Sequence, residues 1–267
     1  MDIDLEIFKE HVAREIGNKS RKIVSSFYVF GSLARGEKIQ EGSDIDSVLV
    51  INSDHIISAE MMGKLSHDLL ALDRSLDILI DHVIVTKDDL LEILSKSLIF
   101  NLYQDGVTLF GDDLKDKFGN YLATCSQSQI LNSFLRTAMF RRHLLRKRIL
   151  KFDMDQLDLS TDELIRYIAK EVMMMAKDYL FFFNDKLVTS KRDTCSFFLA
   201  NVKGPDHFVN FPMKAFNIRN KAITLFDDKQ KLNYIKEGFD FVEEISLKLQ
   251  EKYKQVSKSD LLNLDPF

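Results

Sequence analysis

A short apolar run, Phe27 to Phe30, breaks at Gly31-Ser32; after a spacer of eleven residues, Asp44 and Asp46 open a second apolar run, with Ile45 to Ile51 as its strand. No other feature of the chain limits its fold as tightly. Both runs have the β-branched and aromatic composition of strands. In a strand, residues i and i+2 point to the same face. Asp44 and Asp46 therefore leave one face at the start of the second strand, and Val48 and Val50 continue that face as core. Two carboxylates side by side repel unless something positive sits between them. Oxygen-only ligands at this spacing suit a hard cation, Mg²⁺ or Mn²⁺, held together with substrate phosphates. The Gly31-Ser32 break supplies the complementary half. Glycine lets backbone come close to a ligand, N–H groups at a strand-to-helix turn form an anion-binding nest, and the serine hydroxyl adds a donor.

In this order and at this spacing, Phe30, Gly31, Ser32, Asp44 and Asp46 resemble the signature of the nucleotidyltransferase superfamily related to DNA polymerase β. The resemblance covers residues 25 to 111. It implies an α/β (α+β) catalytic domain with a small mixed sheet, followed by an all-α helical bundle. It also implies the chemistry: transfer of a nucleoside monophosphate, AMP from ATP, to an acceptor hydroxyl with release of pyrophosphate. In that reading Gly31, Ser32 and Arg35 hold the nucleotide, and Asp44 and Asp46 bind one of two Mg²⁺ (or Mn²⁺) ions. A third carboxylate helps hold the second ion or takes the proton of the attacking hydroxyl.

The rest of the first half frames this motif. Residues 3 to 17 form a loosely amphipathic helix with Ile3, Phe8, Val12 and Ile16 among charges. Lys22 to Phe30 is the first strand, and Ser32 to about Lys38 starts a short helix, as the family's turn requires. Ala59 to Asp73 is helical, and Leu76 to Val85 is a strand holding Asp77 and Asp81 on one face. The superfamily places its third carboxylate here. Asp77 lies nearer the preceding helix. Asp81, with its run through Val85 to Asp88-Asp89-Leu90, is similar to the pattern of the streptomycin and spectinomycin adenylyltransferases and is preferred. His82 points to the other face and reads as a core or surface histidine. Asp88 to Gln104 is a helix, Asp105-Gly106 a turn, and Val107 to Phe110 a short strand stopped by Gly111. The domain boundary is placed near residue 115, giving a catalytic domain 1–115 and a helical domain 116–267.

Beyond that point glycine is scarce, with Gly119, Gly204 and Gly238 alone, and the pattern is helical. Helices are expected over Leu131 to Lys151, from a capping box at Ser160-Thr161-Asp162-Glu163 through Phe183, and over about 192–202, 212–226 and 229–256, with Pro205 and Pro212 breaking the chain between helices. Thr189-Ser190-Lys191-Arg192-Asp193 looks like the Ser-Lys step of small-molecule nucleotidyltransferases, whose lysine reaches the triphosphate. A lysine at a helix N-terminus suits that task, and Arg219 resembles a second basic position. From Arg136 to Lys151 there are seven Lys/Arg and no acid. This run reads as a solvated face, as a wall attracting an anionic substrate, or, through Arg136 and His143, as the loose Arg…His pattern of HEPN ribonucleases.

The net charge of -4 argues against a general nucleic-acid binder relying on a basic surface. Cys125 and Cys195 have neither disulfide-framework nor metal spacing. An acidic start and no apolar run long enough for a membrane span lead to the expectation of a cytoplasmic protein. Three acceptor readings stay open. A small hydroxylated molecule such as an aminoglycoside is preferred, because an acidic chain suits a cationic substrate. A macromolecule, tRNA or protein, is the second, as in toxin–antitoxin nucleotidyltransferases. The third is a relative that only binds nucleotide, against which the intact Gly31-Ser32 and Asp44-Ile45-Asp46 argue.

Overall fold

The computed structural model describes residues 3–17, 19–37, 45–52, 58–76, 78, 80–152, 159–184, 188, 190–219 and 226–262. The chain divides into two compact units, residues 1–126 and 127–267.

In the first unit the strands are β1 (Val24–Phe30), β2 (Ile45–Ile51), β3 (Ile80–Thr86) and β4 (Val107–Gly111). They form one mixed sheet in the order β3-β2-β1-β4. β1 pairs antiparallel with β2 and with β4, while β3 runs parallel to β2. Each inner strand alternates between two cores. Phe27, Val29, Ile45, Leu49 and Ile51 turn to one face, where they meet Phe8 and Val12 of α1 (Leu5–Val12) and Leu65, Leu69 and Leu72 of α2 (Ala59–Leu76). Tyr28, Val48, Val50 and Val85 turn to the other face. There they meet Leu90 of α3 (Leu90–Ile93), Ile99 and Leu102 of α4 (Lys96–Asp105), and Phe118 of α5 (Lys115–Ala123).

Local differences from the sequence reading have physical causes. The first helix is α-helical only to Val12 and closes in a π-helical turn over Ala13–Gly17. The helix expected over 88–104 is two helices. Leu94 is extended, and Ser95 caps α4 by accepting a hydrogen bond from the Leu98 N–H at 3.2 Å. The short helix expected after Ser32 is a hydrogen-bonded turn instead, with Gly36 N–H donating to the Leu33 carbonyl at 3.0 Å.

The second unit is a helical bundle of α6 (Gln127–Ile149), α7 (Leu159–Asn184), α8 (Lys191–Asn201), α9 (Asp206–Arg219) and α10 (Asp228–Leu262). α7 starts at Leu159, so Ser160 lies inside its first turn. Pro212 is inside α9 and does not separate it from a neighbour. An internal proline costs a helix about 3 kcal/mol. Here the buried face of Phe208, Phe211, Pro212 and Ala215 outweighs it, with the Phe208 and Phe211 rings 5.0 and 5.8 Å from that of Phe241.

The basic run of α6 is largely spent inside the bundle. Arg141 donates to Asp178 at 2.8 Å, Arg142 and Arg146 both donate to Glu243 at 2.6–2.8 Å, and Arg148 stacks 3.9 Å from the Tyr167 ring centre. Only 3–5% of Asp178 and Glu171 is exposed, and burial pushes both carboxyls above the usual carboxylate range. Arg136, His143, Lys147 and Lys151 are exposed, and Arg146 and Arg148 are exposed as well despite these contacts. Among the described residues no helix is long and apolar enough to cross a membrane.

Candidate active site

β1 delivers the chain to Gly31 at the end of the sheet, where Phe30 pairs with Asp46 of β2. Gly31 has φ +79°, in the left-handed region that favours glycine. A Cβ at this position would lie 2.9 Å from Asp46 Oδ2. The missing side chain thus serves twice, turning the chain and letting backbone lie against a carboxylate. The turn is closed by hydrogen bonds from Arg35 N–H to Gly31 O (3.3 Å) and from Glu37 N–H to Ser32 O (3.0 Å). Leu33, 1% exposed, anchors it in the core beneath.

On its other side Asp46 pairs with Asp81 of β3. Because β2 and β3 are parallel and in register, the two carboxylates share the sheet face that continues through Val48 and Val83 to Val50 and Val85. Adjacent strands lie ~4.8 Å apart, so both carboxylates rise from neighbouring backbone positions. Asp46 is half-buried and Asp81 exposed, while Val48 and Val50 are buried. The acids therefore occupy the open end of a face whose remainder is core. Asp44 and Asp77, named from the sequence, lie outside the described residues. Among the described residues no three His, Cys, Asp or Glu side chains gather as a metal cluster. The donor set that is described, two carboxylates beside a backbone turn with no soft ligand, fits a hard oxygen-seeking cation.

His82 lies on the opposite face. Its Nδ1 is 2.7 Å from Ser47 Oγ, its ring packs edge-on to Phe27, and its Nε2 is 3.8 Å from Asp73 Oδ1. Burial lowers its pKa to about 4, against the opposing pull of the Asp81 charge. It is a neutral core histidine at pH 7, with no access to the acids across the sheet.

Residues 8–108, the span holding this turn and both acids, match the family model described as a nucleotidyltransferase domain. Residues 8–108 are a nucleotidyltransferase domain. The chain is accordingly a transferase enzyme. Among solved structures, it is similar to spectinomycin adenyltransferase AAD(9) from Enterococcus faecialis, crystallised with ATP and spectinomycin, at TM-score 0.57 and 12% identity over 90% of this chain and 100% of that one. Weaker likenesses, TM-score 0.31 at 16% and 17% identity over 53% of this chain and 98% of each of those, link it to a mutant of the toxin–antitoxin pair MntA-HpeT and to a toxin–antitoxin structure with AMP-PNP. Comparison with curated protein sequences finds no match.

Of the nucleotide-binding candidates, Gly31, Ser32 and Arg35 lie in the turn of the nucleotidyltransferase domain. Arg35 is heavily engaged, donating to Asp105 Oδ2 at 2.6 Å, to Glu37 Oε1 at 2.8 Å and, at 3.5 Å, to Ser32 Oγ. Neither acid was singled out in the sequence, where Asp105-Gly106 reads as a turn. Lys191 is the first residue of α8 and half-buried. Ser190 is the N-cap of that helix, accepting from the Asp193 N–H at 3.0 Å. Arg219 ends α9.

Proposed function

We propose that this protein is a nucleotidyltransferase that moves AMP from ATP to a hydroxyl of a small molecule. The observation that carries the reading is the in-register pairing of Asp46 with Asp81 beside the left-handed Gly31. In this reading Asp44, Asp46 and Asp81 would hold Mg²⁺ or Mn²⁺, which when bound neutralises charge on the phosphate oxygens. The N–H groups of the Gly31-Ser32 turn and the serine hydroxyl bind the outer phosphates. The acceptor oxygen forms a bond to the α-phosphorus, the bond to pyrophosphate breaks, and pyrophosphate leaves. Asp81, exposed at the end of the sheet, is the carboxylate assigned to take the hydroxyl proton; Asp77 is the alternative. Lys191 remains a candidate phosphate contact. Most of the rate then comes from positioning and charge neutralisation.

The acceptor is assigned to the small-molecule class for two reasons. The similar adenyltransferase was solved with spectinomycin. And three of the seven cations in the run that argued for RNA, Arg141, Arg142 and Arg146, are already paired with acids of the bundle. Incubating the purified protein with α-labelled NTPs, Mg²⁺ and a cell lysate, then separating small molecules, RNA and protein, tests the assignment. Label is expected in the small-molecule fraction, from ATP, and absent with Asp46→Asn. Label in RNA or protein would overturn the acceptor class. No label in any fraction, with no binding of any NTP, would overturn the function.

A further inference from the structure

Arg35 sits within the phosphate-binding turn, and its sequence position invites the role of a phosphate contact. Its surroundings fit a different one. Each of the three guanidinium nitrogens donates to a protein oxygen, of Asp105, Glu37 and Ser32. Two of those partners are carboxylates, so the local charge around the guanidinium sums to about -1 and does not attract an anion. The side chains of Arg35 and Asp105 are only 14% and 10% exposed. Asp105 is itself oddly placed. It is the last residue of α4, where a carboxylate faces the negative end of the helix, and its Oδ1 is buried with no hydrogen-bond partner among the described residues. A carboxylate held there against both burial and the helix dipole needs a fixed cation, and Arg35 is that cation.

We propose that Arg35 and Asp105 form a clasp that sets the Gly31-Ser32 turn, with Arg35 a positioning residue rather than a ligand of the nucleotide. The inference rests on the nucleotidyltransferase reading and adds Asp105 to its working parts. The two residues are seventy positions apart. The clasp ties the turn to α4, which packs on the sheet face that carries Asp46 and Asp81. One end of the turn is thereby fixed to the core by Leu33 and the other to the helix layer by Arg35. Ser32 Oγ, touched by the same guanidinium, is oriented by it.

Calorimetric titration of ATP and AMP tests the clasp. In wild type, ATP binding is the check on the underlying reading. With a clasp, Asp105→Asn and Arg35→Gln each weaken ATP about tenfold and leave AMP, which lacks the outer phosphates, within twofold. The double variant binds ATP no more weakly than the worse single one. A direct phosphate contact gives the opposite sign at Asp105, because removing an acid beside the arginine frees its charge and tightens ATP. Glu37→Gln, at a more exposed position, decides the matter even if Asp105→Asn fails to fold: the clasp leaves ATP affinity within twofold, and a direct contact tightens it severalfold. If wild type binds ATP and Asp105→Asn or Glu37→Gln binds it more tightly, the clasp is wrong and the enzyme reading stands. If wild type binds no nucleoside triphosphate, both fall together.

Discussion

Gly31→Ala separates what the turn does for the backbone from what it does for the carboxylate. Two glycines of the same turn have nearly the same conformation, Gly31 at φ +79° and Gly36 at φ +73°. An L side chain in that region costs about 1–2 kcal/mol. The surroundings differ. A Cβ at Gly36 meets nothing within 4 Å, whereas at Gly31 it meets Asp46 Oδ2 at 2.9 Å. Ordinary contact for such a pair begins at 3.4 Å, so the Asp46 carboxylate must retreat by the difference, 3.4 − 2.9 = 0.5 Å. Asp46 has a short side chain on a paired strand, with Phe30 on one side and Asp81 on the other. It gives way by rotating its carboxylate, and that would change the geometry of the proposed metal ligand.

Active-site groups need to be held within about 0.5 Å of their working positions, and a 1 Å displacement costs on the order of a hundredfold. Both alanine variants are therefore expected to lose about 1–2 kcal/mol in urea unfolding, little enough for either to stay folded. Their activities should diverge. Gly36→Ala is expected to keep turnover within about threefold, and Gly31→Ala to lose roughly ten- to a hundredfold, with the Mn²⁺ concentration for half-maximal rate raised. Equal activity losses in the two variants would show that backbone strain alone matters and that the approach of Gly31 to Asp46 has no catalytic meaning.

Three further outcomes are expected. Asp81→Asn should abolish transfer while Asp77→Asn retains most of it, at unchanged or slightly higher stability of the metal-free protein as carboxylate repulsion is relieved; a severe loss in Asp77→Asn and a mild one in Asp81→Asn would move the third carboxylate four residues upstream. His82, with its pKa lowered from 6.5 to about 4 by burial, binds its proton more readily unfolded than folded, so its contribution is whole above pH 6.5 and is lost as pH falls towards 4, by up to about 3 kcal/mol. His82→Gln should flatten that part of the pH–stability curve in EDTA, and an unchanged slope would show that the ring is solvated in the folded state. Arg141→Met strands Asp178, of which 3% is exposed, and should destabilise the bundle by about 3–5 kcal/mol in urea unfolding, whereas Arg136→Ala on the exposed side should change it by less than about 0.5 kcal/mol.

What the sequence made legible follows from which rules are local. β2 was expected from Ile45 to Ile51 and has those limits, because its alternation is enforced by a core on each face. The helical second half was likewise readable from composition and periodicity, whereas the mixed sheet was implied by the family resemblance that Gly31-Ser32 and Asp44-Ile45-Asp46 carry. The break before α4 was present in the sequence as Ser95 three residues ahead of Leu98, but a long apolar run masked it. Pro212 shows the converse, a strong local breaker overruled by aromatic packing that no window of sequence contains. The arginines of α6 show it again. A run without acids in its own helix reads as a free basic face, and its acids turn out to be Asp178 and Glu243, on other helices.

The candidate site divides along the same line. Parity along a strand put 77, 79, 81, 83 and 85 on one face, and parity is a local property. It does not say which of those residues stands opposite Asp46; that depends on how far β3 slides along β2. The observed register places Asp81 there, and a slide of two residues in either direction would keep the face and replace Asp81 by Leu79 or Val83. The clasp was further still from reach, since nothing near Arg35 in sequence specifies a carboxylate at position 105. A glycine turn followed by an Asp-x-Asp pair is thus written in about twenty consecutive residues. The acids that stand beside them, Asp81 next to Asp46 and Asp105 next to Arg35, come from β3 and α4, and their positions become visible only in the folded sheet and its helix layer.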